Sequence, residues 1–216
     1  MSDTYAHFGS ETVASARSHF NATSFLIERI LNRAATATLG QVQAVTNTPG
    51  QVTAVGQVDV LPLVNQIDGS GNATPHQVVH GLPYFRFQGG SNAVLCDPQV
   101  GDIGLVVFCD RDISSVKASG KQANPGSRRR FDMADGIFIG LCLGGAPNQY
   151  IAFTGSGISI VDKNGNSIVM GPGGVTINGA QINQSGDVIS AAGIDLNSHV
   201  HTGVTTGTSN SGPPKT

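Results

Sequence analysis

Residues 151–201 constrain this chain more than any other stretch. Apolar side chains there fall two apart in short bursts: Ile158 and Ile160, Ile168 and Met170, Val175 and Ile177, Ile194 and Leu196. Residues two apart on a strand share one face. Between the bursts lie Gly, Asn, Asp and Ser, which favour tight turns. The pattern predicts a ladder of very short strands with one apolar face. A single tail of this kind, with Phe153 as its one aromatic residue, buries too little apolar surface to offset the entropy of ordering it. The shortfall predicts that other copies of the chain complete the face, as neighbouring rungs do in a β-solenoid. A disordered polar tail is the competing reading, but it leaves the paired Ile and Val at period two without a cause.

The composition fits a surface largely hidden against partners. Charged residues are 12% of the chain, about half the usual share. A net charge of −2 argues against a polycation for nucleic acid or membrane surfaces. The three cysteines, Cys96, Cys109 and Cys142, lie in apolar runs without metal spacing. They are expected to be buried free thiols of a chain folded in a reducing cytoplasm. No charged-then-apolar leader opens the sequence and no apolar run reaches membrane-spanning length. Release as part of an assembly or by lysis is the expectation.

Residues 10–35 carry Val13, Phe20, Ile27 and Ala34 seven apart, with Ala16, Thr23 and Ile30 offset by three. This predicts an amphipathic helix capped by Ser10. It packs either on its own domain or on a partner or sister helices. From Thr36 to about residue 150 the pattern changes to five or six strands with frequent turn signals, including a continuous strand through QVTAVGQVDVLPLV. A small antiparallel barrel of OB type fits that count and size. The polar segment between Asp110 and Asp135 reads as a long exposed loop, and its run Arg128–Arg130 as a solvated face or a partner contact. The predicted layout is therefore a helical segment over 1–35, an OB-like barrel over 36–150, a trimeric β-helix over 151–198 and a tip over 199–216.

Nucleic-acid binding needs a basic groove interleaved with exposed aromatics. Here Tyr84, Phe85 and Phe87 flank the single Arg86, so no nucleic-acid partner is expected. No nucleophile elbow, phosphate loop or zinc-protease helix occurs. His76 and His80 sit in a Gly/Pro loop, and Asp97, Asp102, Asp110 and Asp112 lie at strand ends and turns. No catalytic residue is assigned, and the chain is not expected to be an enzyme.

The sharpest chemical feature is Ser198-His199-Val200-His201-Thr202-Gly203. Two imidazoles make a poor metal site, but three chains on a threefold axis would bring six imidazole nitrogens together. Six nitrogens suit an octahedral first-row ion such as iron or nickel better than tetrahedral zinc. Ser198, Thr202 or backbone carbonyls are candidates to hold the outer ring N–H groups. There is one condition. If Ile194 and Leu196 face inward, strict alternation turns the histidines outward, so a bulge or turn near Asn197 must reset the phase.

The tail with SHVHTGVTTGTSNSGPP resembles the tip of the central baseplate spike of contractile-tailed bacteriophages. VLPLVNQIDGSGNATPH, LPYFRFQGGSNAVLCDPQVGDIGLVVFCDRDISSVK and NPGSRRRFDMADGIFIG are similar to the N-terminal barrel of that spike family, baseplate assembly protein V. The resemblance runs from about Thr36 to Pro214. It implies a homotrimeric virion protein, made in the bacterial cytoplasm and acting at the host envelope. In such a spike the N-terminal region faces the baseplate hub and tail tube. An OB-like domain leads into an intertwined triple-stranded β-helix, and one iron ion per trimer is held at the point by the pair matching His199 and His201. The function implied is mechanical piercing of the host outer membrane. Relatives with a lysozyme domain carry it between barrel and helix, where residues 145–155 leave no room for one. A trimeric tail fibre or receptor-binding protein, or the spike of a phage-tail-like bacteriocin or secretion apparatus, are the alternatives. Residues 205–216 fit either an apex folded back on the needle or a loose end.

Overall fold

The computed structural model describes residues 13, 17–48, 51–68, 71–203 and 207. The chain divides between Gly144 and Gly145 into two units. It is mainly β, with antiparallel sheets and one N-terminal helix of more than two turns. Among the described residues no helix is long and apolar enough to cross a membrane.

That helix, α1, spans His19–Leu31. Ser18 caps it, its Oγ accepting the Asn21 N–H at 3.2 Å; the cap expected at Ser10 lies outside the described residues. None of its residues is buried, and Phe20, Leu26, Ile27, Ile30 and Leu31 are all exposed.

In the first unit alternation builds the core. Strands β1 (Ala37–Val45) and β2 (Gln57–Pro62) come first. Two short hairpins follow, β3 (Gln66–Ile67) with β4 (Ala73–Thr74), then, after β5 (Val79–Pro83), β6 (Phe87–Gly89) with β7 (Asn92–Val94). Strands β8 (Ile103–Phe108) and β9 (Gly136–Leu143) complete the set. The main sheet has the order β5-β2-β1-β8-β9, with antiparallel neighbours. One parallel bridge joins Tyr84, just past β5, to Phe138 of β9, with the Phe85 N–H donating to the Phe138 carbonyl at 2.8 Å. Val42, Val58, Val60, Leu82, Tyr84, Val106, Phe108 and Phe138 form the core on the inner face.

Three expectations change here. The strand predicted through residues 51–64 starts only at Gln57. Arg86 Nη1 takes the Thr53 carbonyl, and Asn47 Nδ2 takes Thr53 Oγ1 and the Ala54 carbonyl, which holds this segment off the ladder. The predicted loop between Asp110 and Asp135 contains a helix, α2 (Ser114–Ser119), closed by left-handed Gly120, and a 3-10 turn at Met133–Asp135. The thiols are free, but Cys96 and Cys142 are exposed and Cys109 is half-buried: Cys96 follows β7 on a loop, and Cys142 lies where β9 bulges out of its ladder.

The second unit is a single meander. Its strands are β10 (Tyr150–Thr154), β11 (Gly157–Val161), β12 (Ser167–Gly171), β13 (Gly174–Ile177), β14 (Ala180–Ile182) and β15 (Val188–Ile189). They shorten from five residues to two along the chain. The register places Ile151, Ile160, Ile168 and Ile177 opposite one another across successive strands. Phe153, Ile158, Met170, Val175, Ile182 and Val188 form a second such row on the same face. The other face carries Ser159, Val169, Thr176 and Gln181. No described residue of this unit is buried.

The turns explain why so short a ladder keeps its register. Asp162–Asn166, Asn183–Asp187 and Ser190–Ile194 share one geometry. In each, the first residue's N–H donates to the fifth residue's carbonyl, and the glycine at position four donates back to the first carbonyl. Those glycines, 165, 186 and 193, have φ of 86°, 87° and 81°, as a three-residue hairpin loop with a left-handed last residue requires. The first side chain clamps the loop: Asp162 Oδ1 accepts the N–H groups of Asn164 and Asn166, and Asn183 Oδ1 those of Ser185 and Asp187.

Candidate functional site

The histidine pair follows the last of these turns. Asp195 bridges Ile189, and the Leu196 N–H donates to the Val188 carbonyl at 2.8 Å. The chain then turns. Asp195 Oδ1 accepts the Asn197 N–H and its Oδ2 the Ser198 hydroxyl, each at 2.9 Å, while its carbonyl accepts the His199 N–H at 3.0 Å. The turn that the metal reading needed near Asn197 is therefore present. It is tied back to the preceding rung by Asp187, whose two oxygens accept Asn197 Nδ2 at 2.8 Å and Asn183 Nδ2 at 3.0 Å. Those two amide donors, Asn183 foremost, hold the Asp187 carboxyl below its usual range.

His199 Nδ1 lies 3.0 Å from the Leu196 carbonyl oxygen. A carbonyl only accepts, so Nδ1 carries the proton, and in the neutral ring Nε2 keeps its lone pair. A backbone carbonyl orienting a ring this way is a common support for a metal-ligating histidine. The His201 ring stands edge-on to it, with centroids 5.0 Å apart and planes at 80°. Both residues are exposed. Of the candidate supports, a backbone carbonyl meets His199 Nδ1, while the Ser198 hydroxyl goes to Asp195. Among the described residues no group of three or more His, Cys, Asp or Glu side chains converges. One chain thus offers two nitrogen donors, and the donor chemistry suits a first-row ion only if further copies supply the rest.

The other candidate groups scatter. His80 Nδ1 pairs with Asp59 Oδ2 at 2.8 Å rather than with His76. Asp97 holds Arg86, Asp102 accepts the Gln99 N–H, and Asp110 lies beside Arg111. Arg86 is buried, bonded to Asp97 and the Tyr84 hydroxyl, so it is not free for a phosphate. Arg129 departs from the reading of its run. Its guanidinium reaches into the unit and pairs with buried Asp112 and Asp135 at 3.1 and 3.0 Å. Asp112 is held well below the ordinary carboxylate range by the Ser114 and Ser127 hydroxyls, the Ser114 N–H and Arg129. This Arg129–Asp112–Asp135 clamp and the Arg86–Asp97 pair were missed, because sequence spacing does not show which charges are buried.

No curated protein matches the chain. Residues 41–140 match the model of the family described as Phage protein Gp138 N-terminal domain. That stretch runs from within β1 to within β9, and the likeness supports a phage structural protein.

Proposed function

We propose that the chain is the subunit of a homotrimeric spike at the centre of a contractile-tail baseplate, which pierces the host outer membrane mechanically. The observation that carries the reading is the meander of the second unit. It has one continuous apolar face that no other described residue of the same unit covers, and its strands shorten toward the histidine pair. Phe153 is 81% exposed and Ile151 60%. A contiguous apolar face of this size left bare to water marks an interaction surface, and three copies wound into one triple-stranded β-helix bury the three faces against each other. Interwinding also pairs backbone groups between chains and leaves few free edges to fray. In this reading the first unit is the OB-like barrel that meets the hub and tail tube, and α1 is part of the same attachment.

At the point, His199 and His201 of three chains supply six imidazole nitrogens on the threefold axis. An iron ion held there ties the three chain ends together through its ligand bonds. The Asp195 turn positions the pair, and the Leu196 carbonyl fixes the protonated nitrogen of His199 on the far side of the ring. Force is transmitted by the rungs, so no bond of a substrate is made or broken and the chain is not an enzyme.

Sedimentation and metal analysis test both parts. The expected result is a stable trimer carrying one iron per three chains, with the metal lost in His199→Ala plus His201→Ala. A monomer overturns the spike. A trimer with equal iron in both proteins removes the site but leaves the needle.

A further inference from the structure

We infer that the end of the first unit where the chain leaves it is a second contact between copies, so that the first units are held to one another as well as the tails. This rests on the trimer proposed above. From the parallel bridge at Tyr84 and Phe138, the stretches beginning at Phe85 and Ile139 set off in the same direction, the second running to Gly144. Along the first, Phe85, Phe87 and Val94 line an open apolar cavity of about 510 Å³ and are 59%, 73% and 55% exposed. Along the second, Ile139, Leu141 and Leu143 are 40%, 57% and 56% exposed. In the register Leu105 faces Ile139, Gly104 faces Leu141 and Ile103 faces Leu143, so β9 twice uses two residues against one of β8. Paired bulges of this kind re-aim side chains out of a ladder.

The occupant follows from chemistry and from the chain. Neither stretch, residues 87–94 or 139–143, contains a charged residue, so the surface fits another neutral apolar surface. Residues 145–149 separate Gly144 from β10, and the six steps from Gly144 to Tyr150 reach at most roughly 22 Å. Three tails wound about one axis therefore bring three such ends within reach of that axis. A contact made between already tethered surfaces needs little affinity of its own. A ring of three also requires a heterologous contact, one patch of each copy against a different patch of the next. The Phe85–Phe87–Val94 cavity and the Ile139–Leu141–Leu143 ridge supply two unlike patches.

The test uses the full chain with photoreactive benzoyl-phenylalanine in place of Phe87, sedimentation in parallel, and mass spectrometry of the products. The expected result is a trimer that crosslinks between copies on illumination, with attachment at residues 139–143. Leu141→Lys plus Leu143→Lys should abolish the crosslink while the chain still sediments as a trimer. A trimer with no crosslink between copies, or with crosslinks unaffected by the lysines, overturns the inference and leaves the spike standing. A monomer overturns both.

Discussion

Ile168 and Val169 are neighbours on β12 that face opposite ways, and as a pair they test whether the apolar face is covered. In one chain their exposures are nearly equal, 37% and 38%. Truncating either to Ala in a lone sheet therefore costs a similar amount, about 1 kcal/mol for a partly buried branched side chain. If three copies close over the apolar face, Ile168 becomes fully buried and Val169 does not. Ile168→Ala then costs about 2–5 kcal/mol per chain, or about 6–15 kcal/mol per trimer, against about 1 kcal/mol per chain for Val169→Ala. Thermal unfolding at several protein concentrations measures both, and for a trimer the midpoint also rises with concentration. Equal effects of the two substitutions, with a concentration-independent midpoint, would refute the argument that this face is an interface.

Other expectations follow from single contacts. Gly157→Ala should lower the melting temperature of the meander, because Gly157 has φ of 146° and a Cβ there collides with the Met170 carbonyl oxygen; the strained backbone alone costs about 1–3 kcal/mol. Arg129→Met should destabilise the first unit, since it strands Asp112 and Asp135, whereas Arg128→Met should leave the melting curve unchanged. Acid should loosen the meander. Asn166 above all holds the Asp162 carboxyl below its ordinary value, and Asn183 does the same for Asp187. Their contribution is therefore complete above the unfolded value of about 3.9 and is lost as pH falls through the lower folded values. Circular dichroism from neutral pH to below that point, on wild type and Asp162→Asn, reads the difference: the variant should be less stable at neutral pH and show a smaller acid-induced loss.

The meander was legible because period two survives in strands as short as these: Ile158 and Ile160, or Val175 and Ile177, need no tertiary context to declare a face. The repeated turn was also present in the letters, as Asp, Asn or Ser followed three residues later by Gly at 162, 183 and 190. Read only as turn-forming composition, it passed unnoticed as a repeat. The first unit was legible as strands but not in its polar interior. Arg129 lies between two arginines of identical local pattern, and only the fold brings Asp112 and Asp135 beneath it. Residues 51–56 alternate like a strand, yet side chains from Asn47 and Arg86 claim their carbonyls. The histidine pair stood out by its spacing alone, while the Asp195 turn before it depends on side-chain bonds that no periodicity reveals.

The shared hairpin geometry has a consequence for how such a meander changes over time. Each loop closes its backbone ring within five consecutive residues, with Asn178 and Asn197 adding one side-chain bond each to Asn166 and Asp187. A pair of strands with its turns can then be gained or dropped as a block, shifting the end by about 10 Å, and the strands on either side keep their direction. The length of the meander becomes a quantity adjustable in fixed increments, with the histidine pair carried along unchanged.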